Sequence, residues 1–423
     1  MPGSGQAADI VILLHREDAY EKDLPRAGEA DFIVAKHRHG PTATTTVAFQ
    51  PPWPRAECPQ SAERRAHLDS TESNVLLRCV SILRRALGAP VTQIRIATFN
   101  LENFDEASPN APHPSLDERI ALMKPQITRL RADIACFQEV HGQERPGQPR
   151  ALLALKELLA GTNLDGATLT STKPADDAVF DMRNIVIATH LPVIKHQQLK
   201  NDLVNEPRYQ RLTANPPDAG PVAIGIERPI LHAQIDIDHA APGRLLHVIN
   251  VHLKSKIPSD IPGRVIDPQK GIWSSADSWA EGSFLSSMKR MSQALEVRRL
   301  IDQILDDDPD ARIIVAGDFN AEPEEVPVLA ICGNVEDTNN GDLATRVLVP
   351  IEHTIPSEAR YTLFHRGRGQ MIDHMLVTRN LLAHYRGSEI HNEILHDDSI
   401  AFATDIKYPE SDHAPVVATF DFD

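Results

Sequence analysis

Short apolar runs of strand length recur along this chain of 423 residues, and one after another stops on an amide, a carboxylate or an imidazole. Ile94-Arg95-Ile96-Ala97-Thr98-Phe99 ends at Asn100, and Asp133-Ile134-Ala135-Cys136-Phe137 ends at Gln138-Glu139. Asn250 and His252 flank Val251, and Ile313-Ile314-Val315-Ala316 runs into Gly317-Asp318-Phe319-Asn320. Asp373-His374 follows Met371-Ile372, and Ser411-Asp412-His413 precedes Ala414-Pro415-Val416-Val417. Buried polar atoms must each find a partner, so a structural role alone does not account for strand after strand ending this way. Gathered at one rim of a sheet, these groups make a metal-assisted hydrolytic site, which restricts the fold to one that brings many strand ends together.

Between these runs the periodicity turns helical. Ser115-x-x-Glu118 has the form of a capping box, with Leu116, Ile120, Met123, Ile127 and Leu130 following on one face. Leu152, Leu155 and Leu159 mark a second helix, and Phe284, Met288, Met291, Leu295 and Ile301 predict the apolar face of a long one leading into a strand at 312–316. Further strand patterns lie at 184–188, 229–237, 245–251, 372–378 and 416–422. Many strands with a few interspersed helices predict an α+β domain.

Composition narrows the function classes. Residues 1–93 balance 11 basic against 11 acidic side chains, so residues 94–423 carry 32 against 48, the whole net charge of −16. An acidic body does not draw in a polyanion at long range, so nucleic acid would need a local basic surface or a bound cation. Lys254, Lys256, Arg264 and Lys270 beside Trp273 and Trp279 are one candidate surface, and Arg360, Arg366 and Arg368 another. The four cysteines are scattered with no Cys-x-x-Cys pair, which argues against a zinc site or a disulfide framework. No apolar stretch approaches membrane-spanning length and the first residues lack the form of a secretory signal, so the expectation is a cytoplasmic protein with no membrane and no obligate protein partner.

From about residue 94 to 423, the polar-ended runs in their order resemble the endonuclease/exonuclease/phosphatase superfamily of divalent-metal phosphoesterases. The resemblance implies a four-layer αββα sandwich, two packed mixed β-sheets flanked by helices. Phosphodiester hydrolysis needs an activated water, neutralised phosphoryl oxygens and help for the leaving oxygen, and a hard cation on carboxylates supplies charge. By resemblance, Glu139 ligates Mg²⁺ or Mn²⁺ with Asn100 giving a neutral oxygen, Asp412 completes the metal or phosphate shell, and Glu102 approaches the metal. Asp318 orients or deprotonates the attacking water, Asn320 holds a phosphoryl oxygen, and His252 contacts phosphate or serves as general acid. Asp373 and His413 form a carboxylate–imidazole pair, Arg228 buttresses the site, and His374 and His365 are structural. Whether Asp318 or His413 takes the proton stays open. The expected activity is a metal-dependent phosphodiesterase, a nuclease acting on DNA. A phosphatase or phospholipase-like hydrolase of inositol phosphates or lipid headgroups is the alternative.

The amino-terminal residues follow another pattern. Asp9 to Tyr20 and Gly28 to Arg38, within a span of about 8–50, resemble the carboxy-terminal end of a bacterial replicative hexameric DNA helicase. No Gly-x-x-x-x-Gly-Lys-Ser/Thr phosphate loop occurs in the chain, so residues 1–50 are expected to be a non-catalytic extension left by gene fusion or a displaced start site. Residues 51–93 are expected to be a linker, proline-rich at 51–73, with one short helix carrying Leu76, Val80, Leu83 and Leu87. Residues 94–423 would then be the catalytic domain.

Overall fold

The computed structural model describes residues 92–106, 114–174, 178–238, 243–267, 271–400 and 408–422, together with the backbone of three strands nearer the N-terminus. The chain divides into two units, residues 1–75 and 76–423. In the first, Ile10–His15, Glu29–His37 and Thr44–Ala48 pair antiparallel in that order. Residues 51–91 of the expected linker, with its helix, and Lys270 lie outside the described residues, while Thr92 and Gln93 already belong to the first strand of the second unit.

The second unit is built on twelve strands in two six-stranded sheets. In chain order they are β1 (Thr92–Phe104), β2 (Ile134–Val140), β3 (Thr168–Ser171), β4 (Asn184–Thr189), β5 (Val193–Leu199) and β6 (Ile230–Asp236). There follow β7 (Leu245–His252), β8 (Arg312–Asp318), β9 (Leu348–Pro350), β10 (Asp373–Thr378), β11 (Tyr385–Ile390) and β12 (Val416–Phe422). Sheet I has the order β11-β12-β1-β2-β4-β3, and sheet II the order β5-β6-β7-β8-β10-β9. Each centres on one parallel pair, β1 with β2 and β7 with β8, and the other pairings are antiparallel.

Strand alternation explains the layers. Ile94, Ile96, Ile134, Cys136, Leu246, Val248, Ile314, Ala316, Met375, Val377, Val416 and Ala418 face inward and form one core between the sheets. Each fully buried aliphatic side chain there contributes about 1.5–3 kcal/mol. The opposite parity of sheet I, with Ala97, Phe99, Ala135 and Phe137, packs on α1 (Leu116–Leu130) and α2 (Leu153–Leu159). The opposite parity of sheet II, with Ile249, Val251, Ile313 and Val315, packs on α3 (Ala276–Asp307) and α4 (Val326–Cys332). Three cores between four layers make the αββα sandwich.

The expected capping box is present: Glu118 N–H donates to Ser115 Oγ, and Glu118 Oε2 accepts from Ser115 N at 2.8 Å. The long helix α3 forms and the predicted Ile301 is fully buried, but the rest of its buried face is rotated from the one predicted. Phe284 is 48% exposed and Leu295 47%, whereas Leu285, Ala294, Val297 and Leu300 are buried beside Ser286, Arg290, Gln293 and Glu296. Those polar residues bond to loop backbone, so apolar spacing alone points to the wrong stripe. Among the described residues, no helix is long and apolar enough to cross a membrane.

Candidate active site

The inward parity that fills the inter-sheet core continues along each strand to Asn100, Gln138, Asn250, His252 and Asp318, and back along β10 to Asp373. The site is therefore the polar end of the apolar core. In sheet II the ladder sets His252 beside Asp318 and Asp318 beside Asp373, three residues in one row across β7, β8 and β10. Gly317 has φ 144°, and a Cβ there would meet the Val251 carbonyl oxygen at 2.0 Å. Glycine thus permits the close approach of β8 to β7 just before Asp318.

Asp318 is the most heavily bonded member of the row. Its Oδ2 accepts from Asn100 Nδ2 and Asn320 Nδ2, each at 3.0 Å, and its Oδ1 accepts from Asn320 N at 2.8 Å. Burial, then the neighbouring Asp373 carboxylate, pushes its pKa up to about 7. Asn320, left-handed at φ 48°, also donates through Nδ2 to Leu253 O at 3.0 Å, so its amide nitrogen is committed to orienting Asp318. His252 Nε2 lies 3.3 Å from Asp318 Oδ2 and 3.5 Å from Glu139 Oε1. Burial, reinforced by Arg228, holds His252 well below the usual histidine value, so its ring is neutral.

His413 approaches from the segment before β12, and Asp373 Oδ2 is 2.7 Å from its Nδ1. Although burial opposes the charge, Asp373 and Asp412 hold the ring well above the ordinary value, as an imidazolium. Its Nε2 faces the site, 3.5 Å from Asn100 Nδ2 and 3.8 Å from Asp412 Oδ1. Ser411 fixes this segment by donating to Asn100 O at 2.7 Å and accepting from His413 N at 3.1 Å.

Carboxylates from sheet I complete the site. Plain alternation would turn Glu139 outward with Phe137, but its left-handed backbone, φ 59°, re-aims it. Its Oε2 accepts from Asn103 N at 2.9 Å. Glu102 and Asn103 are also left-handed, at 47° and 45°, and Glu102 Oε2 accepts from Asp412 N at 3.1 Å. Burial and the Asp412 carboxylate push Glu102 up to about 8, and burial raises Asp412 too, with Glu139 adding to it. Asn100 turns its Oδ1 to Glu102 N at 3.0 Å.

Two observations test whether these residues suit a cation. Asp373 Oδ1 and Asp412 Oδ1 are buried without a hydrogen-bond partner, and the Asp412 carboxylate raises the proton affinity of Glu102 as Glu139 raises that of Asp412. A hard divalent ion answers both, because it takes carboxylate oxygens and cancels their repulsion. Asp318, Asp373 and His413 also converge, each offering a ligand atom within 4.8 Å of the others. All ten residues expected at the site thus gather at one end of the sandwich, including Arg228, whose charge is felt at His252 and which donates to Leu253 O at 3.2 Å.

Several site residues escaped the sequence reading. Arg119 on α1, 5.1 Å from the Phe104 ring centre, donates to Leu101 O at 2.7 Å and Asn103 O at 3.3 Å, and so shapes the bend that carries Glu102. Gln293 on α3 donates to Arg228 O at 3.1 Å and His252 O at 3.3 Å. Thr362 Oγ1 accepts from Asp373 N at 3.1 Å. Arg183, exposed and left-handed at φ 58°, donates to Asn103 Oδ1 at 3.2 Å, and its charge acts on both His252 and Arg228. Arg183 alone left a signal, a polar residue abutting a strand, though at the start rather than the end. Of the basic surface considered from sequence, Lys254 is buried, with its pKa pushed down to about 8 by that burial, while Lys256 pairs with Glu325 at 2.6 Å and Arg264 bonds Thr213 O.

The profile of the Endonuclease/Exonuclease/phosphatase family matches residues 97–413, and this chain belongs to that family of phosphoesterases and nucleases. Residues 4–57 match the DnaB-like helicase C terminal domain. Over 45 residues the chain is 78% identical to the replicative DNA helicase DnaB of Leifsonia xyli subsp. xyli (strain CTCB07), covering 11% of this chain and 10% of that one. The DnaB of Mycobacterium leprae (strain TN) is 69% identical over 45 residues, 11% and 8% of the two chains. The chain thus spans about a tenth of the helicases it matches. Among solved structures, an endonuclease/exonuclease/phosphatase family protein from Bacteroides thetaiotaomicron aligns at 15% identity and TM-score 0.46, over 79% of this chain and 96% of that one. An AP endonuclease from Archaeoglobus fulgidus aligns at 17% identity and TM-score 0.41, over 77% and 99%. Likeness this distant says nothing about substrate.

Proposed function

We propose that the protein is a divalent-metal-dependent phosphodiester hydrolase, a nuclease acting on DNA. The observation that carries the reading is the in-register row His252–Asp318–Asp373 facing Asn100, Glu139, Asp412 and His413 across the end of the core. Mg²⁺ or Mn²⁺ held by Glu139 and Asp412, with Asn100 alongside, supplies charge that neutralises phosphoryl oxygens.

Within the protein's own groups the roles divide by charge state. Asp318, held by Asn100 and Asn320 and poised near neutrality, takes a proton from the water whose oxygen attacks phosphorus. The His413 imidazolium, fixed by Asp373, presents Nε2–H to a phosphoryl oxygen as negative charge builds there. His252, neutral and buried, offers an N–H without adding net charge. Buried Arg228 and exposed Arg183 supply positive charge on the same side, the local basic charge an acidic body needs to hold a polyanion.

The test is incubation of the purified chain with supercoiled plasmid, single-stranded DNA and an inositol phosphate, with Mg²⁺ or Mn²⁺ and with EDTA. DNA cleavage that EDTA abolishes is expected. Hydrolysis of the inositol phosphate with DNA left intact would replace the substrate class, and cleavage unaffected by EDTA would remove the metal.

A further inference from the structure

Asp373 has a neighbour that the proposed chemistry does not use. His374 points to the opposite face of β10, is fully buried, and has an acceptor at each ring nitrogen. Nδ1 is 2.6 Å from Oε1 of Glu352, itself 0% exposed, and Nε2 is 2.8 Å from the backbone oxygen of Ala321. Glu352 Oε2 accepts from Met375 N at 3.4 Å, and the Phe319 ring meets the imidazole edge to face with centroids 5.0 Å apart. Two ionisable groups have thus been withdrawn from water behind sheet II.

A buried ion pair of this kind seldom adds net stability over apolar residues of the same size, because desolvation offsets the attraction. What it does fix is geometry. Ala321 follows Asn320, and the segment Asp318–Ala321 is held at both ends: inside by Asn320 N and Nδ2 on Asp318, outside by His374 on Ala321 O. Consecutive residues of β10 serve the two faces, Asp373 gripping His413 and His374 gripping the turn that carries Asn320. A proton on Nε2 makes the bond to Ala321 O, and Nδ1 meets the Glu352 carboxyl group whichever of the two carries the shared proton, so the ring grips the turn in either form.

Resting on the hydrolase reading, we infer that Glu352 and His374 are positioning residues which set the Asn320 turn, and through it the orientation of Asp318. They touch no substrate. Replacing His374 by leucine keeps an apolar side chain of similar bulk but removes the ring N–H, so the bond to Ala321 O is lost.

Turnover of bis-p-nitrophenyl phosphate and of plasmid with Mn²⁺ is compared for the wild type, His374→Leu and Val377→Ala, well below the Tm of each. Val377→Ala thins the core on the inner face of the same strand without touching the turn. His374→Leu is expected to lower kcat on the order of 10-fold with KM within about twofold, and Val377→Ala to leave both near wild type. Unchanged kcat in His374→Leu, or an equal fall in Val377→Ala, overturns the positioning role alone; no turnover by the wild type on either substrate overturns the hydrolase reading and this role together. Should His374→Leu not fold, ¹⁵N–¹H spectra of the wild type decide. A proton on His374 Nε2 is expected, and an Nε2 without one overturns the inference.

Discussion

Sheet I and sheet II share one pattern, a central parallel pair with an antiparallel strand on each side, and both aim the C-terminal ends of that pair at the site. They deliver their chemistry differently. Sheet II carries His252, Asp318 and Asp373 on paired strand residues, so hydrogen-bond register itself sets their spacing. Sheet I places Glu102 and Glu139 beyond regular pairing, on left-handed residues where the register of β1 against β2 shifts. A ladder suits groups that must hold one distance for proton transfer. Bends suit carboxylates that must move with a cation, and burial, followed by neighbouring carboxylates, raises Glu102 and Asp412 there. The difference teaches that one architecture supplies both a rigid and an adjustable half-site.

The largest effect should come from the rigid half. Asp318→Asn is expected to lower kcat by about 10²-fold or more, as for any positioned base, and added metal should not recover it. The pH profile gives the sign: a base works deprotonated, so the wild-type rate rises with pH through the Asp318 pKa. Burial and Asp373 lift that pKa to about 7, and a neighbouring cation lowers it, which puts the ascending limb at or below about pH 7. The limb should vanish in Asp318→Asn; if it survives there unchanged, Asp318 is not the base.

The adjustable half should fail in a way that metal repairs. Glu139→Gln is expected to raise the Mg²⁺ concentration for half-maximal activity by roughly 10-fold or more, while saturating metal returns much of kcat. A kcat loss as deep as that of Asp318→Asn, and insensitive to metal, would erase the distinction between the sheets.

How much of this was legible in the sequence follows from the range of each contact. Asn100, Asp318 and Asp373 could be read because strand alternation is local: the inward parity of Ile94 and Ile96, or of Ile314 and Ala316, runs on to the site residue in the same strand. The same signature misled where the sheets simply bind each other. Gln138 and Asn250 end apolar runs just as Asn100 does, yet Gln138 Nε2 donates to Asn250 Oδ1 at 2.8 Å and both are fully buried, so they tie the sheets together. Arg119, Gln293 and Glu352 act on residues far along the chain, and no local pattern announces them. On α3 the buried stripe is half polar, which is why apolar spacing selected Phe284 and Leu295. The four-layer arrangement came from family resemblance, since periodicity alone supports only α+β.

The smallest effect on catalysis, and the sharpest on stability, belongs to that tie. Gln138 Nε2 also donates to Thr98 Oγ1 at 3.0 Å and Cys136 O at 3.1 Å, while Asn250 Nδ2 donates to Val186 O at 2.9 Å and Phe137 O at 3.2 Å. The amides therefore join sheet I to sheet II just beneath the site, with side-chain hydrogen bonds that go to neither Asp318 nor Glu139. Gln138→Leu keeps the volume but strands Asn250 Oδ1 in a dry interior, which costs about 1–3 kcal/mol, so denaturant unfolding should shift while kcat at low temperature stays within about threefold. Adding Asn250→Leu removes the acceptor that the first change orphaned, so the double variant should lose less stability than the two single losses added together. Strictly additive losses would mean the amides are not coupled, and a kcat falling in step with stability would mean that the sheet ends depend on this tie for their alignment.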